Sequence, residues 1–206
     1  MADILVDNQA VPATPAAGKT ILFVNSGTKL LCSKDDAGKV QSLGGLIMNY
    51  NTADVVANAA DTYLTGSGLS IPTGQVLQVG TTFTWRFGLT KTAAGTATPI
   101  WTVRIGTAGT TADTARLTFT GAAAAATAEA GWVEISAILR NVGASGVLAG
   151  VLVCRPHTNG IGASALQVTS AAFDTTVAGS IIGVSVNPGA AGVWTHQVIH
   201  SQMLNI

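Results

Sequence analysis

Hydrophobic and polar residues alternate one for one along much of the chain from about residue 55 onward. Phe83, Trp85, Phe87 and Leu89 are interleaved with Thr82, Thr84, Arg86, Gly88 and Thr90. That period of two puts one set of side chains on each face of a β-strand. The same period recurs in Trp101/Val103/Ile105, Leu117/Phe119, Val133/Ile135/Ala137/Leu139, Val147/Ala149/Val151/Val153 and Ile182/Val184/Val186, and a last run extends from Val193 to Met203. Turn-forming breaks separate these runs, among them Ala93-Ala94-Gly95, Gly106-Thr107-Ala108-Gly109, Gly143-Ala144-Ser145-Gly146 and Asn187-Pro188-Gly189. Many short strands joined by Gly-rich turns, without crossover helices, predict an all-β antiparallel β-sandwich. The Ala-rich stretch from Gly121 to Gly131 favours helix by propensity but carries no apolar stripe. It is too short to hold a helix alone and is expected as a loop or a single helical turn.

Residues 1–45 read differently from residues 46–206. They hold eight of the twenty charges, and their four basic residues are all lysine, whereas five of the six later ones are arginine. Three short strands are expected, TILFV, KLLCS and KVQSL, with turns at Asn25-Ser26-Gly27 and Asp35-Asp36-Ala37-Gly38 that supply positive-φ positions for hairpins. So few apolar anchors predict a small β-hairpin arm that must lie on another surface, with Gly44-Gly45 as a hinge into the main domain.

Composition narrows the function. Only 10% of residues are charged, against about 25% in an ordinary soluble domain, and ten basic residues balance ten acidic ones. This leaves no electrostatic case for nucleic acid, an anionic membrane or an acidic substrate. No run of some 18 apolar residues predicts a membrane span, and the acidic start MADILVDN is not that of a signal peptide. A neutral surface rich in Gly, Ala and Thr offers little repulsion to a second copy, which points to assembly with other chains.

Candidate chemistry is sparse. Gly18-Lys19-Thr20 matches the end of a phosphate-binding loop, but Ala13 stands where its first glycine belongs and Pro12 and Pro15 stiffen it. The segment before it is polar rather than a buried strand, and TILFV after it reads as a strand rather than a helix. His196 and His200, four apart on the last strand, are expected on one face; His157 lies elsewhere, so surface or interface histidines are expected rather than a metal site. Asp35-Asp36 lacks the alternating ligands of a calcium loop. Glu129 and Glu134 form no acid/base pair by spacing. Arg86, Arg104 and Arg116 recur on successive polar faces, either as a stripe for acidic ligands or, the better reading, as partners in ion pairs. Cys32 and Cys154 are expected to be buried free thiols. Trp85, Trp101, Trp132 and Trp194 are expected as core anchors, with a sugar-stacking platform as the alternative. Catalytic, cofactor-binding and metal residues are none, and an enzyme is not expected.

The run GTTFTWRFGLTKTAAGTATPIWTVRIGTAGTTADTARLTFT (80–120), with RNVGASGVL, QVTSAAFD and GVSVNPGAAGVWTHQV after it and PAAGKTILFV…KLLCSKDDAGKVQSLGG before it, resembles virion proteins of tailed bacteriophages. The resemblance implies a jelly-roll domain, homotrimeric, on an N-terminal arm that attaches it to the major capsid protein or another virion protein. It implies a structural virion protein without distinguishing a capsid decoration (cement) protein from a head or tail fibre. A charge-poor sandwich whose arm can lie across capsid subunits favours a decoration protein on the capsid exterior, made in the bacterial host cytoplasm. The alternative is a head- or tail-fibre protein that binds a receptor or a host surface glycan. It brings no catalytic residues and makes PAAGKT a solvated turn before the arm's first strand.

Overall fold

The computed structural model describes residues 8–26, 31–38, 40–42, 46–71, 77–156, 164–189 and 193–205. Among them are sixteen strands and one 3-10 turn, Gly143–Ser145, with no α-helix. The Gly44-Gly45 hinge and His157 lie outside the described residues.

The first four strands, β1 (Asn8–Gln9), β2 (Ile21–Asn25), β3 (Leu31–Lys34) and β4 (Val40–Ser42), form one sheet in chain order. β2, β3 and β4 are the three expected strands in antiparallel hairpin succession. β1 was not legible. Its Asn8 and Gln9 pair in parallel with Val24 and Asn25, because the segment after Gln9 runs back before β2 begins. Gly18 takes φ +72° in that return, the Lys19 N–H donates to Ala16 O at 3.0 Å, and the Gly18 N–H donates to the Asp36 carboxylate at 2.6 Å. A turn leading into a strand has no helix N-terminus to aim at phosphate, so the nucleotide reading fails on geometry. Phe23, Cys32 and Val40 make a small buried cluster of their own. Three such side chains supply roughly 5 kcal/mol of burial, far less than the ordering of some thirty backbone residues requires.

The remaining twelve strands make a β-sandwich. They are β5 (Leu46–Asn51), β6 (Val55–Ala57), β7 (Thr62–Tyr63), β8 (Leu69–Ser70), β9 (Thr82–Lys91), β10 (Ile100–Gly106), β11 (Thr114–Thr120), β12 (Glu129–Asn141), β13 (Val147–Pro156), β14 (Ser164–Thr169), β15 (Ile181–Asn187) and β16 (Trp194–Leu204). One sheet runs β14-β13-β12-β9-β16-β5, with β6 also on β16. The other runs β11-β10-β15-β7, with β8 also on β15. All pairings within these two sheets are antiparallel. The inward sets of both sheets merge into one core: Phe83, Trp85, Phe87 and Leu89 of β9 meet Trp101 and Val103 of β10, Leu117 and Phe119 of β11, and Val184 and Val186 of β15.

Two registers differ from the sequence reading. In β13 both alternating sets are apolar, so the period does not choose a face; Leu148, Leu152 and Cys154 are buried while Val151 is exposed. The run Val147/Ala149/Val151/Val153 is therefore the outward set. Gly150 belongs to the inward set, where an added Cβ would lie 2.6 Å from Leu117 Cδ1 and 3.2 Å from Phe119 Cζ, so a larger residue would displace those core side chains. In β16 a β-bulge falls between Gln197 and His200, with Val198 at φ +50°. The extra residue shifts the period by one, so His196 points into the core and His200 outward. The two histidines do not share a face. The Ala-rich stretch is a loop, and β12 starts inside it at Glu129.

Candidate functional site

Most singled-out side chains serve the fold. Trp85, Trp101 and Trp194 are fully buried, as expected of core anchors, whereas Trp132 is 38% exposed. Cys32 and Cys154 are free and buried, and burial pushes the Cys154 thiol up to about 12, out of reach of thiolate chemistry. The three arginines make no stripe. Arg86 lies on the seven-stranded sheet and pairs with Glu134 at 3.1 Å, and Arg104 lies on the five-stranded sheet and pairs with Asp61 at 2.5 Å. Arg116 sits over the Phe173 ring, 4.8 Å from its centroid. In the 35–38 turn the Asp35 carboxylate accepts the Ala37 N–H at 3.1 Å. Among the described residues no group of three His, Cys, Asp or Glu side chains could hold a metal ion, and no helix is long and apolar enough to cross a membrane.

Three buried polar groups were not legible in the sequence. Lys91 sits at an inward position opposite Glu129, and its Nζ donates to Ala125 O at 2.7 Å and Thr127 O at 2.5 Å, fastening the Ala-rich loop to the sandwich. Burial lowers its pKa, with Glu129 pulling the other way. Asp113 accepts the N–H groups of Ala108, Gly109 and Thr110 and shapes the β10–β11 turn. Burial, and secondarily the Asp113 charge, push the Tyr63 hydroxyl up to about 12. These groups brace loops and open onto no cleft.

The outer face of the seven-stranded sheet is different. Its cross-strand rows read Leu46, Leu204, Thr82, Ile138, Ala149, Thr169; then Met48, Gln202, Thr84, Ser136, Val151, Gln167; then Tyr50, His200, Arg86, Glu134, Val153; then Gln197, Gly88, Trp132, Arg155. The face has two halves. On β5, β6 and β16, six large apolar side chains stand exposed: Leu46, Met48 (55%), Tyr50 (71%), Val56, Val198 (66%) and Leu204. Across β9, β12, β13 and β14 lies a groove with a cavity volume of about 410 Å³, lined by Thr82, Thr84, Ser136 and Gln167 and walled by Ile138 and Val151. The sequence hid this face because its apolar residues sit at the positions that a one-sided alternation assigns to solvent.

No protein-family model matches the chain, and no curated protein does. Among solved structures the chain is similar to the CBM2 module of the evolved Dit of Lactobacillus casei BL23 phage J-1, with a TM-score of 0.31 and 8% identity over 81% of this chain and 93% of that one. A likeness of that degree carries no argument about function.

Proposed function

We propose that the chain is a non-catalytic structural protein of a tailed-phage virion: a decoration (cement) protein on the capsid exterior that assembles as a homotrimer and is held to the major capsid protein by residues 1–45. The observation that carries this reading is the row of exposed apolar side chains along β5, β6 and β16. A soluble domain seldom leaves so many large apolar groups together on one sheet edge unless another chain covers them. The low charge of the whole surface supports the same conclusion, as does the resemblance of the sequence to virion proteins.

Strand order supports a jelly roll. Successive strands β5/β6, β7/β8, β9, β10, β11, β12, β15 and β16 form the quartets β5/β6-β16-β9-β12 and β7/β8-β15-β10-β11, and the β13–β14 hairpin extends the first. The arm's sheet buries too little to stand alone and keeps Leu22 and Leu31 exposed. This suits it to lie against a capsid surface. Three arms per trimer would bind multivalently, so modest contacts at each would hold the assembly firmly. A shell bridged in this way gains resistance without any chemistry.

Light scattering of the purified chain tests the assembly. The expected mass is about three times 20.7 kDa. The double substitution Met48→Lys with Leu204→Lys places charges across the proposed contact and is expected to yield a folded monomer. A monomeric parent, or a trimer indifferent to both lysines, would overturn the proposed contact.

A further inference from the structure

The groove on the β9–β14 half is built of uncharged hydrogen-bonding groups. Among the described residues, the hydroxyls of Thr82, Thr84 and Ser136 and the amide of Gln167 make no side-chain hydrogen bond, so donors and acceptors stand free on its lining. No ionisable side chain lines it, while Ile138 and Val151 supply apolar walls. Its volume of about 410 Å³ falls within the roughly 300–1,000 Å³ of small-molecule sites. An anion or cation would find no counter-charge in it, and a purely apolar guest would strip water from four polar groups without replacing it. A ligand that alternates hydroxyl groups with C–H faces satisfies both linings.

The face continues in line with the groove. Trp132 and Glu134 precede Ser136 at alternate positions on β12, which places Trp132 about 13 Å from Ser136 at the usual rise per residue. Glu134 between them is neutralised by Arg86 and offers a planar pair of hydrogen-bonding groups. Opposite Trp132 stands Gly88; a Cβ there would meet only Gln197 atoms, at 3.5 and 3.9 Å, so the sheet is notched beside the exposed indole. Arg155, on the other side of Trp132, is the one further charge in that row.

We propose that this strip, from the Thr84/Ser136/Gln167 groove to Trp132, binds a neutral glycan chain, with the indole stacking on one sugar and the groove hydrogen-bonding another. The inference uses the half of the face away from the β5–β16 edge and does not rest on the virion reading.

Calorimetric titration of the intact protein with neutral hexasaccharides of glucose, N-acetylglucosamine and mannose, and with polygalacturonate as an anionic comparison, tests it. At least one neutral saccharide is expected to bind saturably. Thr84→Val, Gln167→Ala and Trp132→Ala are each expected to weaken it about three- to tenfold, the effect of one hydrogen bond or one stacking contact, with unchanged urea midpoints. Four results would overturn the proposal: no neutral saccharide binding, binding of polygalacturonate alone, affinity that survives all three substitutions, or loss of the saccharide when raised protein concentration brings further copies onto this face. The last would assign the groove to a second copy of the chain.

Discussion

Trp85→Ala is expected to remove about 3–5 kcal/mol of stability, the loss typical of a large aromatic truncated in a close-packed core. Trp85 lies at the centre of β9, fully buried, with its ring 6.0 Å from that of Phe83 and nearly parallel to it. Its indole N–H donates at 2.8 Å to Ser67 O, in the loop whose Ser67 hydroxyl both accepts from Val184 N and donates to Val184 O. The single side chain thus fills the core and, through Ser67, ties one sheet to the other. Truncation leaves a cavity and an unpaired buried carbonyl together. Trp85→Phe keeps most of the volume and loses the hydrogen bond, so a smaller loss of about 1–3 kcal/mol is expected. Trp132→Ala is expected to change stability by less than about 1 kcal/mol, because it removes only a surface cross-strand contact. Urea unfolding at one protein concentration checks the order. A Trp132 variant as damaged as the Trp85 variant would contradict the assignment of one tryptophan to the surface and the other to the core.

Acid is expected to weaken the fold through His196. Its ring is fully buried against Phe87, edge to face with centroids 5.5 Å apart, and neither nitrogen has a hydrogen-bond partner of good geometry. Burial depresses its pKa to about 4, with the backbone of Val55 opposing weakly. In the unfolded chain the ordinary value is 6.5. Between those values the unfolded state holds a proton that the folded state does not, so the contribution of His196 to stability falls as pH drops through that window and is level above and below it. A separation of that size amounts to about 3 kcal/mol. His196→Leu is expected to remove this slope while leaving the neutral-pH fold intact. Urea midpoints at pH 7, 5.5 and 4 for both proteins check it; parallel curves would contradict a neutral buried histidine.

The sequence exposed the sandwich where the physics was one-sided. From Thr82 to Thr90 in β9 every second residue is aromatic or leucine and every other is Thr, Arg or Gly, so the period names the face and the strand together. It failed where both faces are apolar or where one inserted residue moves the period. VLAGVLVC admits either register, and the packing of Leu148, Leu152 and Cys154 into the core decides it. Val198 adds one residue to β16 and sends His196 and His200 to opposite faces, which no spacing rule reveals. The buried Lys91 and Glu129 stand across β9 and β12 where charge alone would put them in solvent. The groove was invisible for the same reason as the β13 register: its apolar wall, Val151, lies in a strand whose two alternating sets are both apolar, so the period names no face. Trp132 was the exception, a strand tryptophan that the aromatic count grouped with three buried ones.

The most direct test of the central proposal is cryo-electron microscopy of phage particles that carry this protein. The account predicts trimeric density on the capsid exterior, repeated with the lattice, with residues 1–45 against the shell and the β5–β16 edges in contact around the threefold axis. Density confined to the tail or to one vertex, or copies that stand singly on the shell with that edge bare, would contradict it.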